Sequence, residues 1–208
     1  MSIKNILPSE IEKESFRIIR SELKDMGKEI LPEVEPTVVR VIHTTADFEY
    51  ADTMRFSEGA VEKIKDALRS GAHIVTDTNM ALSGVSKKTL EKFGGQVHCF
   101  MADEDVARQA KERSVTRAYV SMEKAARLDA ALVFAIGNAP TAPLRLRELY
   151  DSEGFKPMAI IAVPVGFVNV VEAKELIMEM DVPYIVNVGR KGGSTVAAAI
   201  CNSILYNM

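Results

Sequence analysis

Hydrophobic spacing divides the 208-residue chain into a helical opening and a longer stretch of alternating elements. From Ser9 to Ile30, the apolar residues Ile11, Phe16, Ile19, Leu23, Met26 and Ile30 recur at three- to five-residue intervals, which predicts a helix with one buried stripe. Pro8 precedes it, Ser9 and Glu12 have the form of a capping box, and Pro32 and Pro36 stop it. The run Thr37 to Thr45 stays open between two readings. Its Val and Ile content suits a strand, while Val38, Val41 and Ile42 fall on one helical face.

Beyond Ser57 the pattern is regular. Ser57 is placed to cap a helix that runs to about Ser70 and stops at Gly71. Further helices are predicted over Ser86–Phe93, Asp103–Arg113, Tyr119–Leu128, Ala142–Tyr150, Val170–Met180 and Ser194–Tyr206. Short apolar strands fall between them at Ala72–Thr76, Gln96–Phe100, Ala130–Ile136, Met158–Val163 and Tyr184–Val188. Strands that alternate with helices pair in parallel through crossover connections. Their continuous apolar character implies cover on both faces. The prediction is a three-layer α/β sandwich: a mainly parallel central sheet flanked by helices, with an N-terminal helical arm (residues 1–35) inside one domain of residues 1–208.

Composition narrows the classes. Hydrophobic residues make up 47% and charged residues 26%, enough for a sizeable core without disulfides. The two cysteines, Cys99 and Cys201, are far apart and form no ligand cluster, which points to a reduced, cytoplasmic setting. No apolar stretch reaches the roughly 18 residues of a membrane span, so no membrane partner is expected. The opening M-S-I-K-N-I-L-P lacks signal-peptide architecture. A net charge of −3 without a long basic run argues against a nucleic-acid partner. His98 and Cys99 are adjacent on a strand and so face opposite sides, and no metal site is expected.

Candidate chemistry concentrates in Val41–Phe48, V-I-H-T-T-A-D-F, where His43 ends an apolar run beside Thr44 and Thr45, with Asp47 following. Histidine is the side chain whose ordinary pKa lets it exchange a proton near neutrality. His73 and His98 sit in strand-like runs that suit packed, hydrogen-bonded imidazoles. In open parallel sheets, ligands bind beyond the carboxyl ends of the strands. The residues there are Asp77-Thr78-Asn79-Met80, Gly137-Asn138-Ala139-Pro140-Thr141, Pro164-Val165-Gly166-Phe167 and Gly189-Arg190-Lys191-Gly192-Gly193-Ser194. Glycine there admits close backbone approach, and helix N-termini suit carboxylates or phosphates. G-N-A-P-T also reads as a plain strand-to-helix turn, and Asp77 as a turn cap.

Five motifs, H-T-T-A-D-F, D-T-N-M-A-L-S-G, G-N-A-P-T-A, V-P-V-G-F-V and G-R-K-G-G-S, occur in this order over nearly the whole chain. Together they resemble the precorrin-8X methylmutase (cobalt-precorrin-8 methylmutase, precorrin isomerase) family. The resemblance implies an isomerase, usually a homodimer, acting on a tetrapyrrole without a separate cofactor. It implies migration of a methyl group from C-11 to C-12 of the macrocycle. His43 matches the family's active-site histidine, assigned as general acid, Arg117 an active-site arginine, and Ser15 a polar contact on the first helix. Where the family usually has small residues and E-S-K, this chain has Asn169-Val170-Val171-Glu172-Ala173-Lys174, keeping Glu172 and Lys174.

A polycarboxylate substrate calls for cations and amides. The candidates are Arg17, Arg117, Arg145, Arg190 and Lys191, with the backbone of Asn138, Gly166 and Gly192. Arg17 and Arg145 read equally as solvated helix faces. Thr76, Ser83 and Thr141 supply hydroxyls, and Met80, Leu82, Phe167 and Val168 an apolar wall or core packing. Two rival classes remain: a Rossmann-like nucleotide-dependent enzyme, disfavoured because neither G-x-G-x-x-G nor a Walker motif appears, and a non-enzymatic tetrapyrrole carrier.

Overall fold

The computed structural model describes residues 7–208. The capping box expected at Ser9 rests on a side chain outside the described residues, as do residues 1–6 of the N-terminal arm and of the opening octapeptide. After a 3-10 turn at Pro8–Glu10, the helices begin with α1 (Ile11–Asp25), α2 (Glu35–Thr45), α3 (Tyr50–Thr53) and α4 (Ala60–Arg69). They continue with α5 (Asn79–Gly84), α6 (Lys87–Leu90), α7 (Glu104–Glu112) and α8 (Arg117–Ala126). The last are α9 (Thr141–Glu153), α10 (Val170–Met178) and α11 (Ser194–Tyr206). The strands are β1 (Met54–Phe56), β2 (His73–Thr76), β3 (Val97–His98), β4 (Leu132–Ile136), β5 (Ala159–Ala162) and β6 (Tyr184–Asn187).

Helix α1 ends before the prolines expected to stop it. Gly27 takes φ 69°, and the N–H groups of Gly27 and Lys28 donate to the Lys24 and Leu23 carbonyls at 2.9 Å each, a Schellman closure. The ambiguous run Thr37 to Thr45 is helical. Pro36 lies in the first turn of α2, where its missing N–H has no partner to lose. Ser57 is not the cap of α4. Gly59, at φ 65°, holds that position, and the Ser57 hydroxyl instead accepts the Tyr184 N–H at 2.9 Å, tying β1 to β6.

The sheet runs β1-β6-β5-β4-β2-β3 and is parallel except for β1, which pairs antiparallel with β6 at one edge. Side chains of β4 alternate between two cores. Val133 and Ala135 join the core under α2, α4 and α11, while Leu132, Phe134 and Ile136 join that under α8, α9 and α10. This is the three-layer arrangement. After β2 the chain moves outward to β3, and after β4 it moves the other way to β5. Helix α5 accordingly packs on α11, whereas α9 packs on α8 and α10. The carboxyl ends of β2 and β4 therefore form the topological switch point where such sheets bind ligands.

Helices α2 and α11 run antiparallel. The Ser203 hydroxyl, late in α11, donates to Thr37 at 3.3 Å, while Lys191, just before α11, reaches Asp47, just after α2. This packing carries His43, in the last turn of α2, to the carboxyl edge of the sheet. Helix α1 in turn lies antiparallel on α2. Glu12 meets Arg40 at 2.9 Å and Arg20 meets Glu35, so the amino-terminal half of α1 flanks His43.

Candidate active site

Four loops at the carboxyl edge are laced into one collar. At the switch point, Asp77 is fully buried. Its carboxylate accepts the N–H groups of Gly137 at 2.8 Å, Asn138 at 2.8 Å and Ala139 at 2.6 Å. Burial pushes the Asp77 carboxyl upward in pKa, and the three N–H donors oppose that shift. The Thr78 hydroxyl caps α5 and meets the Ser194 hydroxyl at 2.8 Å, joining the loop after β2 to the start of α11. The Gly193 N–H donates to Val163 O at 2.9 Å and the Gly166 N–H to Arg190 O at 3.2 Å, joining the loops after β5 and β6. Thr141, at the start of α9, shares a 2.7 Å hydrogen bond with Thr116, which caps α8 and places Arg117 in its first position.

Glycine is needed at two points of the collar. A Cβ on Gly137 would lie 2.6 Å from Ser194 Cα, and one on Gly192 would collide with the Val163 carbonyl oxygen. Gly192→Ala is expected to lower stability by about 1–3 kcal/mol, the usual result of overpacking. Urea unfolding reads this directly, and an unmoved midpoint would mean that the loop adapts.

Two buried side chains hold the loop after β6 from beneath. Lys174 of α10 is fully buried, and its ammonium donates to Gly189 O at 2.8 Å and Lys191 O at 2.9 Å. The Asn187 amide donates to Val188 O at 3.3 Å and Lys191 O at 2.9 Å, and its oxygen accepts the Thr53 hydroxyl at 2.7 Å. Burial pulls the Lys174 pKa down to about 8. Because the unfolded chain keeps that proton to higher pH, the cost of burying this charge is full below about 8 and is relieved between about 8 and 10.5.

His43 is exposed at the collar's edge. Its ring meets Phe16 of α1 edge-on, with centroids 5.2 Å apart and planes at 88°. Helix α2 ends just beyond, at Ala46 with φ 54°. Asp47 does not serve the imidazole. Its carboxylate accepts Lys191 Nζ at 2.6 Å and the Glu49 N–H at 3.0 Å, and those two contacts, the lysine first, hold its pKa below the usual carboxylate range. Lys191 also reaches Glu49 at 2.7 Å, and the two carboxylates push its pKa above the ordinary lysine range. Lys191 thus braces the glycine loop against the turn that follows His43.

The predicted site residues divide. Arg117, Asn138, Thr141, Gly166, Phe167, Arg190, Lys191 and Gly192 are on the collar, and Ser15 is on α1 beside Phe16. The Ser15 hydroxyl donates to Ile11 O at 2.9 Å. Arg17 points along the exposed face of α1 and pairs with Glu14 at 2.7 Å. Thr76 is buried under the collar, its hydroxyl donating to Thr78 O and His98 O. Ser83 is exposed late in α5. Arg145 belongs to a cluster with Glu123 and Glu148 on the α8–α9 face.

Apolar surface stands beside these groups. Phe167 is 81% exposed and Val168 74%, Met80 is exposed at the start of α5, and the Arg190 guanidinium lies 5.3 Å from the Phe167 ring centroid. Val170 is buried and packs beneath Gly166, so it supports this loop from below. A cleft of about 420 Å³ lies elsewhere, between the α1–α2 linker, β1 and α4, and is lined by Glu29, Glu33, Glu58 and Glu62. That acidic lining disfavours an anionic ligand.

Sequence reasoning did not single out Thr116 or Asn187 as parts of the site, and it noted Lys174 as a retained family residue without giving it a role. Lys174 had a legible signal: with Val170, Ala173 and Ile177 it falls on the buried stripe of α10, where a lysine is out of place. His73 and His98, expected to be packed, hydrogen-bonded imidazoles, are bonded to each other, Nδ1 to Nε2 at 2.8 Å.

Fold and collar together define an α/β protein that gathers cationic and apolar side chains at a switch point beside one exposed imidazole. A family model described as precorrin-8X methylmutase matches residues 10–207, and the chain belongs to that family of cobalamin-biosynthesis isomerases. The cobalt-precorrin-8 methylmutase of Priestia megaterium is 43% identical over 199 residues, covering 96% of this chain and 88% of that protein. The Salmonella typhimurium protein of the same description is 41% identical, covering 97% of this chain and 96% of its own length. The precorrin-8X methylmutase of Pseudomonas aeruginosa is 38% identical, with 93% of both chains covered. The solved precorrin-8x methyl mutase of Thermus thermophilus superposes with a TM-score of 0.84 at 40% identity, covering 95% of this chain and 96% of that one.

Proposed function

We propose that this isomerase moves a methyl group from C-11 to C-12 of a precorrin-8 or cobalt-precorrin-8 macrocycle, with His43 as general acid. The observation that carries the reading is the exposed His43 imidazole at the edge of a collar of amides, cations and apolar side chains. In the reaction, the bond from the methyl to C-11 breaks and the bond to C-12 forms, with no atom gained or lost. A proton lent by His43 to a ring nitrogen redistributes the macrocycle's electrons and is returned afterwards, so no redox partner or further cofactor enters.

Arg117 and Arg190 take peripheral carboxylates of the substrate, with the N–H groups of the glycine loop, while Lys191 holds that loop in register with His43 and reaches the substrate from there. Thr141, Asn138 and Ser15 supply neutral polar contacts. Phe167, Val168 and Met80 cover the apolar ring. Arg17, Thr76 and Ser83, assigned to substrate from sequence, act at one remove, given their pairing, burial and distance along α5. The free thiols Cys99 and Cys201 suit a cytoplasmic setting. A homodimer suits the exposed apolar residues Ile11 and Ile18 on α1.

The test follows the label. With substrate carrying ¹³C at the C-11 methyl, the enzyme should convert that NMR signal into one at C-12 while the mass stays unchanged. A label that remains at C-11, with both the metal-free and the cobalt form, would overturn the reading.

A further inference from the structure

Lys174 is an unusual lysine. It is fully buried, on the stripe of α10 that otherwise carries Val170, Ala173 and Ile177. Its two acceptors are both carbonyls of the glycine loop, and no carboxylate among the described residues pairs with it. The charged residues of α9, packed against α10, are committed elsewhere: Arg145 to Glu123 and Glu148, and Arg147 to Asp151 and Glu179. Strands β5 and β6 contribute Tyr184 as their one titratable residue, and on α10 itself Glu172 and Glu175 are exposed. A buried charge without a counter-ion is costly to keep, so its retention needs a reason beyond packing.

The geometry supplies one. In a trans peptide, the carbonyl of one residue and the N–H of the next point in opposite directions, and there is no cis peptide among the described residues. Lys174 draws the Gly189 and Lys191 carbonyls inward, and Asn187 draws in that of Val188. The N–H groups of Gly189, Arg190 and Gly192 are thereby turned away from the interior, and no acceptor among the described residues receives them. Three outward N–H groups over an uncompensated cation make an anion seat.

We propose that Lys174 is a positioning residue for substrate: it turns the Gly189–Gly192 amides outward and supplies the charge beneath them, so that this loop seats a carboxylate of the macrocycle. This rests on the tetrapyrrole reading of the site. An ammonium suits the role because it has three donors and no acceptor, so it can only draw carbonyls inward.

The experiment uses the full chain and the corrin product of the reaction, with binding followed by absorbance. Lys174→Met should weaken product binding at pH 7 about tenfold, the worth of one charge-assisted contact. It should raise KM by a similar factor and leave kcat within about threefold, because the chemistry at His43 is untouched. Wild-type affinity should fall as pH rises through about 8 and the Lys174 charge is lost, whereas the variant should show no such step. Product esterified at its carboxylates should bind both proteins alike. A variant that is merely less stable, with wild-type affinity and the same pH profile, overturns the proposal. If Lys174→Met does not fold, a wild-type affinity that is flat between pH 7 and 9.5 overturns it equally. A wild-type chain that binds no corrin product at all would instead sink the tetrapyrrole reading.

Discussion

Replacing His43 with alanine is expected to lower turnover by roughly 10²–10⁴, the usual contribution of a positioned proton donor. The imidazole stands at the end of α2 without a carboxylate partner among the described residues, since Asp47 is committed to Lys191 and the Glu49 N–H. Its orientation comes from Phe16, which meets it edge-on and is itself covered by the Arg40 guanidinium 4.9 Å from its centroid. Because His43 is exposed, its loss should change stability by no more than about 0.5 kcal/mol. On the proposed reading, product binding should also survive, because the collar and not His43 supplies most of the contacts. Steady-state kinetics and an absorbance titration separate these effects. Full turnover in His43→Ala would remove the acid role, whereas equal losses in binding and turnover would make His43 a binding group.

The layered α/β plan was legible in the chain because its strands are short apolar runs bounded by glycine and polar turns. Three features were not legible. The strand-like run Thr37 to Thr45 is a helix because the burial of Val38, Val41 and Ile42 against α11 outweighs the β preference of branched residues, and Pro36 marks a first turn as readily as a stop. Strand β1 is three residues of mixed polarity whose one sheet neighbour among the described residues is β6, so local pattern carries almost no trace of it. The end of α1 at Asp25 was hidden because the apolar spacing runs on through Met26 to Ile30, past the closure at Gly27.

The candidate site was legible as a set of loops because strand ends in a parallel sheet share one edge. What joins those loops was not. Asp77 meets Gly137 at a separation of 60 along the chain, and Lys191 meets Asp47 at one of 144. Such contacts depend on strand order, which spacing along the sequence does not encode. Thr76 shows the same limit from the other side: its neighbour Asp77 turns into the switch point, while Thr76 is buried on β2 with its hydroxyl against His98 O of the adjacent β3.

Asp77→Ala should be the most damaging single change to the fold of the site. The carboxylate has no exposure and accepts three backbone N–H groups from the turn after β4, so it joins the two strand ends that diverge at the switch point. Removing it leaves the buried Gly137 N–H and the partly buried Asn138 and Ala139 N–H groups without their acceptor, at about 1–3 kcal/mol for a donor that stays unsatisfied. With partial relief by water, a total loss of about 3–5 kcal/mol is expected, and the melting temperature should fall by on the order of 10 °C for a chain of this size. Asp77→Asn is the sharper test. It preserves shape and one acceptor oxygen, but its amide NH₂ must face at least one of the same N–H groups. It should therefore still lose at least about 2 kcal/mol, although on volume alone it should be nearly silent. Urea unfolding of both variants decides the matter. If Asp77→Asn matches the wild type, the side chain is held as a neutral acid and its two oxygens are not both needed as acceptors. If Asp77→Ala also stays within about 1 kcal/mol, the turn after β4 holds itself, and the collar owes its shape to Gly137 and the α9 N-terminus instead.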